Sequence, residues 1–256
     1  MTNIRVENLS VGLKGREVVR DVSFSISAGE VVGLIGPNGA GKSTLLRTTA
    51  GLLPSHGAIT LDGQRLEDLG AHARAKLIGY LPQEREVAWP ITASRLVALG
   101  RTPHLAPFSD FTREDRTIAD EALRQVDAAE FQDRVVSELS GGERARVLIA
   151  RMLAQQTPII IADEPTAGLD PGHQISLVEI LTRLAEDGRT IVLALHEVAL
   201  AARWCTRILL LNQGRIVADG PPKEVLTSGL FERTYGVRVF VADGPDGFII
   251  QPISRI

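Results

Sequence analysis

The sequence predicts an α/β fold: buried strands alternating with helices, an antiparallel β region ahead of them, and an all-helical insertion. Three observations predict it. Val31-Val32-Gly33-Leu34-Ile35 is an unbroken apolar run that passes through a glycine-rich stretch into the helical Thr44-Leu45-Leu46-Arg47. From Glu84 to Ala154 strand patterns vanish and helical ones replace them. Strand and helix patterns then alternate again from Ile159-Ile160-Ile161-Ala162 onward. With 256 residues, the chain is long enough to bury a full core.

Taken in order, Ile4-Arg5-Val6 and Val22-Ser23-Phe24-Ser25-Ile26 alternate as half-buried strands do, and Ala28-Gly29-Glu30 turns into the apolar run. The helix opened at Lys42 ends near Gly51, with Pro54 beyond it. Ala58-Ile59-Thr60-Leu61 reads as a strand closed by Asp62-Gly63. A short helix around Leu66–Ala75 leads to the strand Leu77-Ile78-Gly79-Tyr80-Leu81, which ends at Pro82-Gln83. In the insertion Thr92–Leu99 is helical. Thr112 caps a helix reaching Val126, with Ile118, Ala119, Ala122, Leu123 and Val126 on one face. Gly100–Phe108, between them, has loop composition. Later, His173–Glu186 is a helix stopped by Gly188, Thr190–Leu195 is a strand, and Asn212-Gln213-Gly214 joins Ile208–Leu211 to Arg215-Ile216-Val217 as a hairpin. Two short helices follow Pro221-Pro222, and Val237–Val241 pairs with Phe248–Ile250 around Asp243-Gly244-Pro245-Asp246-Gly247. The expected divisions are 1–83 and 155–235 for the α/β core, 84–154 for the helical subdomain and 236–256 for a terminal hairpin.

Composition narrows the function. A formal net charge of −3 gives no global attraction to nucleic acid or anionic membrane. Aromatics at 4% leave few platforms for stacked bases, so direct nucleic-acid binding is not expected. Only Lys14, Lys42, Lys76 and Lys223 are lysines, an arginine skew that reads as genome composition. Cys205 is alone, which excludes an internal disulfide and suits a reducing compartment. Met1–Ser10 has no signal-peptide core, and runs such as Ile208–Leu211 fall far short of the roughly 20 residues of a membrane span. The expectation is a soluble chain that reaches any membrane through a partner.

Gly36-Pro37-Asn38-Gly39-Ala40-Gly41-Lys42-Ser43-Thr44 fits G-x-x-x-x-G-K-[ST], the phosphate loop of ATP- and GTP-binding proteins. A loop around a triphosphate must turn its N–H groups inward, which glycine permits. Lys42 supplies charge to the β- and γ-phosphates, and the Ser43 hydroxyl can ligate Mg²⁺. The run Ile159–Ala162 ends on Asp163-Glu164-Pro165, two adjacent carboxylates at a buried strand end. Asp163 is the expected Mg²⁺ partner with Ser43, and Glu164 the candidate general base for water.

Further stretches accompany these. Leu139-Ser140-Gly141-Gly142-Glu143 opens the helix Arg144–Ala154, where Ser140, Gly142 and the first free N–H groups make an anion site. Ala167-Gly168-Leu169-Asp170 follows the acidic pair, His196 follows the strand Thr190–Leu195, and Gln83 ends the strand before the insertion. Together they resemble the ATP-binding cassette (ABC) ATPases along nearly the whole chain. The resemblance implies a P-loop NTPase core with an antiparallel β subdomain and an inserted α-helical subdomain, using ATP and Mg²⁺. It implies that Ser140, Gly141, Gly142 and Glu143 form the signature that binds the γ-phosphate held by an opposing subunit, in a head-to-tail homodimer. Asp170 then belongs to the D-loop that touches the partner cassette, and His196 is the switch histidine contacting γ-phosphate and water. Gln83 is the Q-loop glutamine, meeting Mg²⁺ or the water while its backbone moves the helical subdomain. The chain departs from the family where an aromatic stacks on adenine; by spacing that place falls at Leu13 or Gly12.

The expected role is the ATPase subunit of a transporter, docked on separate polytopic membrane permease subunits at the cytoplasmic face of the membrane. Gly100-Arg101-Thr102-Pro103-His104 and Tyr235-Gly236-Val237-Arg238-Val239 resemble importers of iron–siderophore, haem and cobalamin type, which implies an extracytoplasmic substrate-binding protein as well. Another importer or exporter class stays open, as does a soluble cassette of DNA repair or translation. Those soluble cassettes usually carry coiled coils, metal hooks or a second cassette, and none appears in the sequence. Glu84–Pro90 and Gly100–Phe108, with Val87, Trp89, Leu105 and Phe108, are expected to frame the permease groove.

Overall fold

Two hydrophobic cores, one on each face of a parallel sheet, decide where every other element goes. The computed structural model describes residues 2–84, 86–244 and 247–256. It opens with β1 (Ile4–Leu13) and β2 (Arg16–Ile26), then β3 (Val31–Ile35), the glycine-rich loop and α1 (Lys42–Thr49). β4 (His56–Leu61) and β5 (Gln64–Arg65) return to the first, antiparallel sheet, whose order is β2-β1-β4-β5. α2 (Ala71–Leu77) and β6 (Ile78–Leu81) precede α3 (Ala93–Ala98), α4 (Arg113–Gln125) and α5 (Gly141–Ala154). Then come β7 (Ile159–Asp163), α6 (Pro171–Glu186), β8 (Thr190–Ala194), α7 (Val198–Trp204), β9 (Arg207–Asn212) and β10 (Arg215–Gly220). α8 (Pro222–Val225), α9 (Ser228–Tyr235), β11 (Val237–Gly244) and β12 (Gly247–Arg255) close the chain.

The second sheet has the order β10-β9-β3-β8-β7-β6, parallel throughout except for β10. A strand covered on both faces must be apolar at every position, which is why these segments read as unbroken runs. Successive residues serve opposite cores. Ile160 and Ala162 of β7, Ile191 and Leu193 of β8, and Ile208 and Leu210 of β9 pack with α5, α6, α7 and the segment between β6 and β7. Ile159 and Ile161, Val192 and Ala194, and Leu209 and Leu211 pack with α1 and the antiparallel sheet. Between β6 and β7, α3, α4 and α5 pack on one another, and α5 also touches β6.

Caps set the helix starts, and here the structure corrects the sequence reading. α5 begins at Gly141 rather than Arg144, because Ser140 caps it in a box with Glu143. α6 begins at Pro171 rather than His173, with Asp170 as N-cap and proline in the first turn. α4 starts as expected after Thr112, whose box partner is Asp115. The single helix expected around Leu66–Ala75 is a 3-10 turn, Leu66–Asp68, followed by α2, which takes Leu77 from the strand. Gly100–Phe108 is not all loop: a 3-10 helix, Leu99–His104, continues α3. The turn Gln213–Gly214 holds both residues at positive φ, 48° and 80°, as the expected hairpin requires. Of the terminal turn, Pro245 and Asp246 lie outside the described residues, as does Arg85 of Glu84–Pro90.

Candidate active site

The phosphate loop is shaped by backbone crowding before any ligand is considered. Gly36 has φ 154° and lies so close to β9 that a Cβ would sit 2.1 Å from Leu211 O. Gly41, at φ 105°, faces β2, where a Cβ would come 3.0 Å from Val18 O. A third strut comes from the β9–β10 turn: Gly214 N donates to Ala40 O at 3.0 Å, and Gly214 O accepts from Arg20 N at 2.8 Å. The loop is thus pressed into place from both sheets. Gly41 also caps α1 without a side chain, leaving the first N–H groups of the helix facing the loop.

Lys42 is buried and folds back over the loop, its Nζ donating to Gly36 O at 2.7 Å and Pro37 O at 3.2 Å. Burial lowers its pKa, opposed by the charges of Glu164 and then Asp163. Asp163, the last residue of β7, is wholly buried, and neither carboxylate oxygen makes a well-formed hydrogen bond among the described residues. Burial raises its pKa, while the nearby Ser43 side chain pulls it down and the Glu164 charge raises it further. Arg47 and Tyr80 flank the same carboxylate.

Glu164 breaks the strand with φ 53°, a left-handed backbone that costs a side-chain-bearing residue energy and persists because the surrounding structure holds it. Its N–H donates to Ala194 O at 3.1 Å, which pins it to the end of the neighbouring β8. Its Oε1 lies 2.5 Å from His196 Nε2. Beside this contact Thr166 Oγ1 donates to Glu197 Oε2 at 3.0 Å, so two bonds tie the loops after β7 and β8. Lys42, Ser43, Asp163, Glu164 and His196 therefore converge at the carboxyl ends of β3, β7 and β8, the edge where open parallel sheets bind ligands. Gln83 sits exposed just beyond β6 on that edge.

The signature residues form a second, separate cluster. Ser140 is spent as a cap: its Oγ accepts from Glu143 N at 3.3 Å, and its own N–H donates to Glu143 Oε2 at 2.7 Å. Glu143 also meets Arg134 Nη1 at 3.2 Å, so its carboxylate serves the turn rather than an anion. Gly141 opens onto empty space, while a Cβ on Gly142 would be 3.2 Å from Gly168 O of the D-loop. Asp170 accepts from His173 N at 3.1 Å and meets His173 Nδ1 at 2.6 Å, contacts that hold its pKa down. Leu13 is partly exposed at the tip of the β1–β2 hairpin, the hairpin whose Val18 touches Gly41.

Residues that sequence reasoning missed are those joined to the site through space. Thr166 and Glu197 stand next to Glu164 and His196 in sequence, which is a usable signal. Tyr235 is different: burial pushes its phenol pKa up, opposed by the backbone of Gly36, and its ring stacks on Phe231 with centroids 4.8 Å apart. A groove of about 350 Å³ beyond β6 is lined by Glu84, Val87, Trp89, Leu148, Arg151 and Gln155 among others, and Gly100 and His104 back onto it through Arg151 O and Gln155 O. Trp89 and Phe108 are both exposed.

Comparison with known proteins matches this geometry. The model of the ABC transporter family matches residues 19–167. The chain is 43% identical over 244 residues to the hemin import ATP-binding protein HmuV of Rhodococcus jostii, covering 94% of this chain and 82% of that one. It is 40% identical over 259 residues to the ferric enterobactin transport ATP-binding protein FepC of Escherichia coli, covering 100% and 96%. Among solved structures, a chain of an inward-facing transporter assigned to the metal-chelate type of ABC transporter superposes with TM-score 0.84 at 26% identity, covering 99% and 98%. A dimeric ATP-binding cassette in a post-hydrolysis state bound to ADP and Pi gives TM-score 0.77 at 29% identity, covering 86% and 98%.

Proposed function

The chain belongs to the ABC transporter family of ATP-binding cassettes, and on that premise we propose that it hydrolyses ATP to drive import of an iron–siderophore, haem or cobalamin-like substrate through separate permease subunits. One observation carries the hydrolytic reading. Glu164, at φ 53°, aims its carboxylate at His196 beside a buried Asp163 whose oxygens make no well-formed hydrogen bond among the described residues. Unsatisfied carboxylate oxygens next to the Ser43 hydroxyl suit a hard divalent cation such as Mg²⁺, with Gln83 a further ligand. When bound, the cation offsets phosphate charge.

The residues then divide the work. Loop N–H groups from Gly36 to Thr44 and the start of α1 cradle the phosphates. Lys42 leaves Gly36 O and Pro37 O for the β- and γ-phosphates, exchanging neutral acceptors for charged ones. Glu164 accepts the proton of the attacking water. His196 holds that carboxylate in place and reaches the γ-phosphate. Leu13 covers the adenine face.

The signature residues bond within their own turn and leave Gly141 open, and in a head-to-tail homodimer Ser140, Gly141 and Gly142 meet the partner's γ-phosphate beside Asp170. The helices of 84–154 act as a subdomain that moves with nucleotide, while 1–83 with 155–235 form the core and 236–256 an extension. The apolar groove with exposed Trp89 accepts a short segment of the permease, and an extracytoplasmic binding protein delivers the substrate. No helix among the described residues is long and apolar enough to cross a membrane, in keeping with attachment through the permease at its cytoplasmic side. Glu164→Gln tests the chemistry. Expected are unchanged ATP binding, a fall in turnover of about 10²–10⁴-fold, and a dimer that accumulates with ATP. Near wild-type turnover would remove Glu164 from the role.

A further inference from the structure

Gly100-Arg101-Thr102-Pro103-His104 is tied by packing, an ion pair and hydrogen bonds to the end of α5 and to α4. Gly100 packs straight onto the last turn of α5: a Cβ there would lie 2.3 Å from Arg151 O. Arg101 is buried, its Nε donating to Asp115 Oδ1 at 3.0 Å and its Nη1 to Ala154 O and Gln156 Oε1, each at 3.0 Å. Asp115 is in turn fixed by Thr112 N at 3.0 Å and Thr112 Oγ1 at 2.7 Å. His104 Nε2 lies 2.8 Å from Gln155 O.

The other side of the same link is held by the core. The Gln155 side chain donates to Ala75 O at 2.6 Å and Ile78 O at 3.2 Å, at the junction of α2 and β6. Gln156 follows in left-handed backbone, φ 53°, and leads into β7. The exit from α5 into the sheet is thus gripped by the 3-10 helix on one side and by the strand leading to Gln83 on the other. Ser140 lies at the far end of α5, about 21 Å away at the usual rise per residue. A tilt of about 5° at the grip would carry the signature about 2 Å, enough to lose a hydrogen bond.

We propose that Gly100–His104 is a clamp that sets the angle of α5 against the parallel sheet, with Arg101 and His104 as positioning residues for the signature turn. Its consequence for pairing rests on the two-cassette reading above; the clamp itself does not. Both are tested in the full chain, with spin labels on cysteines at Glu130, beyond α4, and Glu67, beside the antiparallel sheet, while buried Cys205 is left in place. His104→Ala and Gln155→Ala should broaden the label-to-label distance distribution by several ångströms without nucleotide. His104→Gln, which keeps an N–H for Gln155 O, should restore it. In a Glu164→Gln background, His104→Ala should raise the ATP concentration for half-maximal pairing about tenfold, with single-chain ATP affinity unchanged within twofold. A wild-type distance distribution in both alanine variants overturns the clamp, as does broadening that His104→Gln does not reverse. If the distributions change as expected while the Glu164→Gln parent stays monomeric with ATP, the clamp stands and the two-cassette reading fails.

Discussion

Gly141→Ala separates what the fold wants at the signature from what the proposed reaction wants. Gly141 is in the first turn of α5 and outside the left-handed region, and a Cβ there meets nothing within 4 Å. On propensity alone alanine should stabilise the helix by about 0.5–1 kcal/mol. For a chain of this size that raises Tm by about 1–4 °C. If the empty space at Gly141 is where an opposing nucleotide arrives, the added methyl overpacks that junction at a cost of about 1–3 kcal/mol. Pairing should then weaken by roughly 5- to 150-fold, since 1.4 kcal/mol is a factor of ten. Thermal melts of the nucleotide-free chain give the first number. ATP-dependent sedimentation of Gly141→Ala in a Glu164→Gln background gives the second. A variant that melts higher and pairs as tightly as its parent would show that nothing approaches Gly141, and the action of the signature in trans would fall.

Two further outcomes follow from the geometry. Asp115→Ala strands the buried Arg101 guanidinium, which keeps only Ala154 O and Gln156 Oε1, so thermal unfolding should show a loss of about 3 kcal/mol. The Thr112 side chain and, behind it, Arg101 hold the Asp115 carboxyl below the usual range. Its contribution is therefore complete above the unfolded value of about 3.9 and is lost as pH falls through the lower folded value; a wild-type melt in Asp115→Ala would remove the ion pair from the account. Leu13→Tyr, at the exposed hairpin tip, should tighten ATP binding through base stacking by about 1–3 kcal/mol, read by titration calorimetry against GTP. Equal affinities in both proteins would place the adenine elsewhere.

The legible parts of this chain are those whose physics is local. β3, β7, β8 and β9 announce themselves because burial on two faces forbids a polar residue, and the phosphate loop is contiguous in sequence. Thr112 was readable as a cap because a helical pattern follows it directly. Ser140 and Asp170 cap in the same way, but Gly141-Gly142 and Pro171-Gly172 look like breakers, and the helix starts were read two or three residues late. Glu164 could be named as a base from its place after Asp163, yet its left-handed backbone leaves no mark in residue type. Least legible were pairings set by tertiary approach. Arg101 meets Asp115 and Gln156 across a fold that local pattern does not encode. Composition alone therefore read Gly100–Phe108 as loop, where the structure has a 3-10 helix over Leu99–His104.

The bond between Gly214 and Ala40 has a consequence for the order in which this protein comes off the ribosome. The loop that carries Lys42 is made early, but the turn that braces it, and Leu211, against which Gly36 rests, come about 170 residues later. At roughly 5–20 residues per second that is an interval of about 10–35 s. During it the nascent chain holds a complete phosphate-loop motif braced only from the β2 side, where Val18 faces Gly41. Nucleotide cannot guide the early steps of folding in such a molecule. A polypeptide released before β9 should carry the motif without the affinity, because the Gly214 and Leu211 braces are then missing.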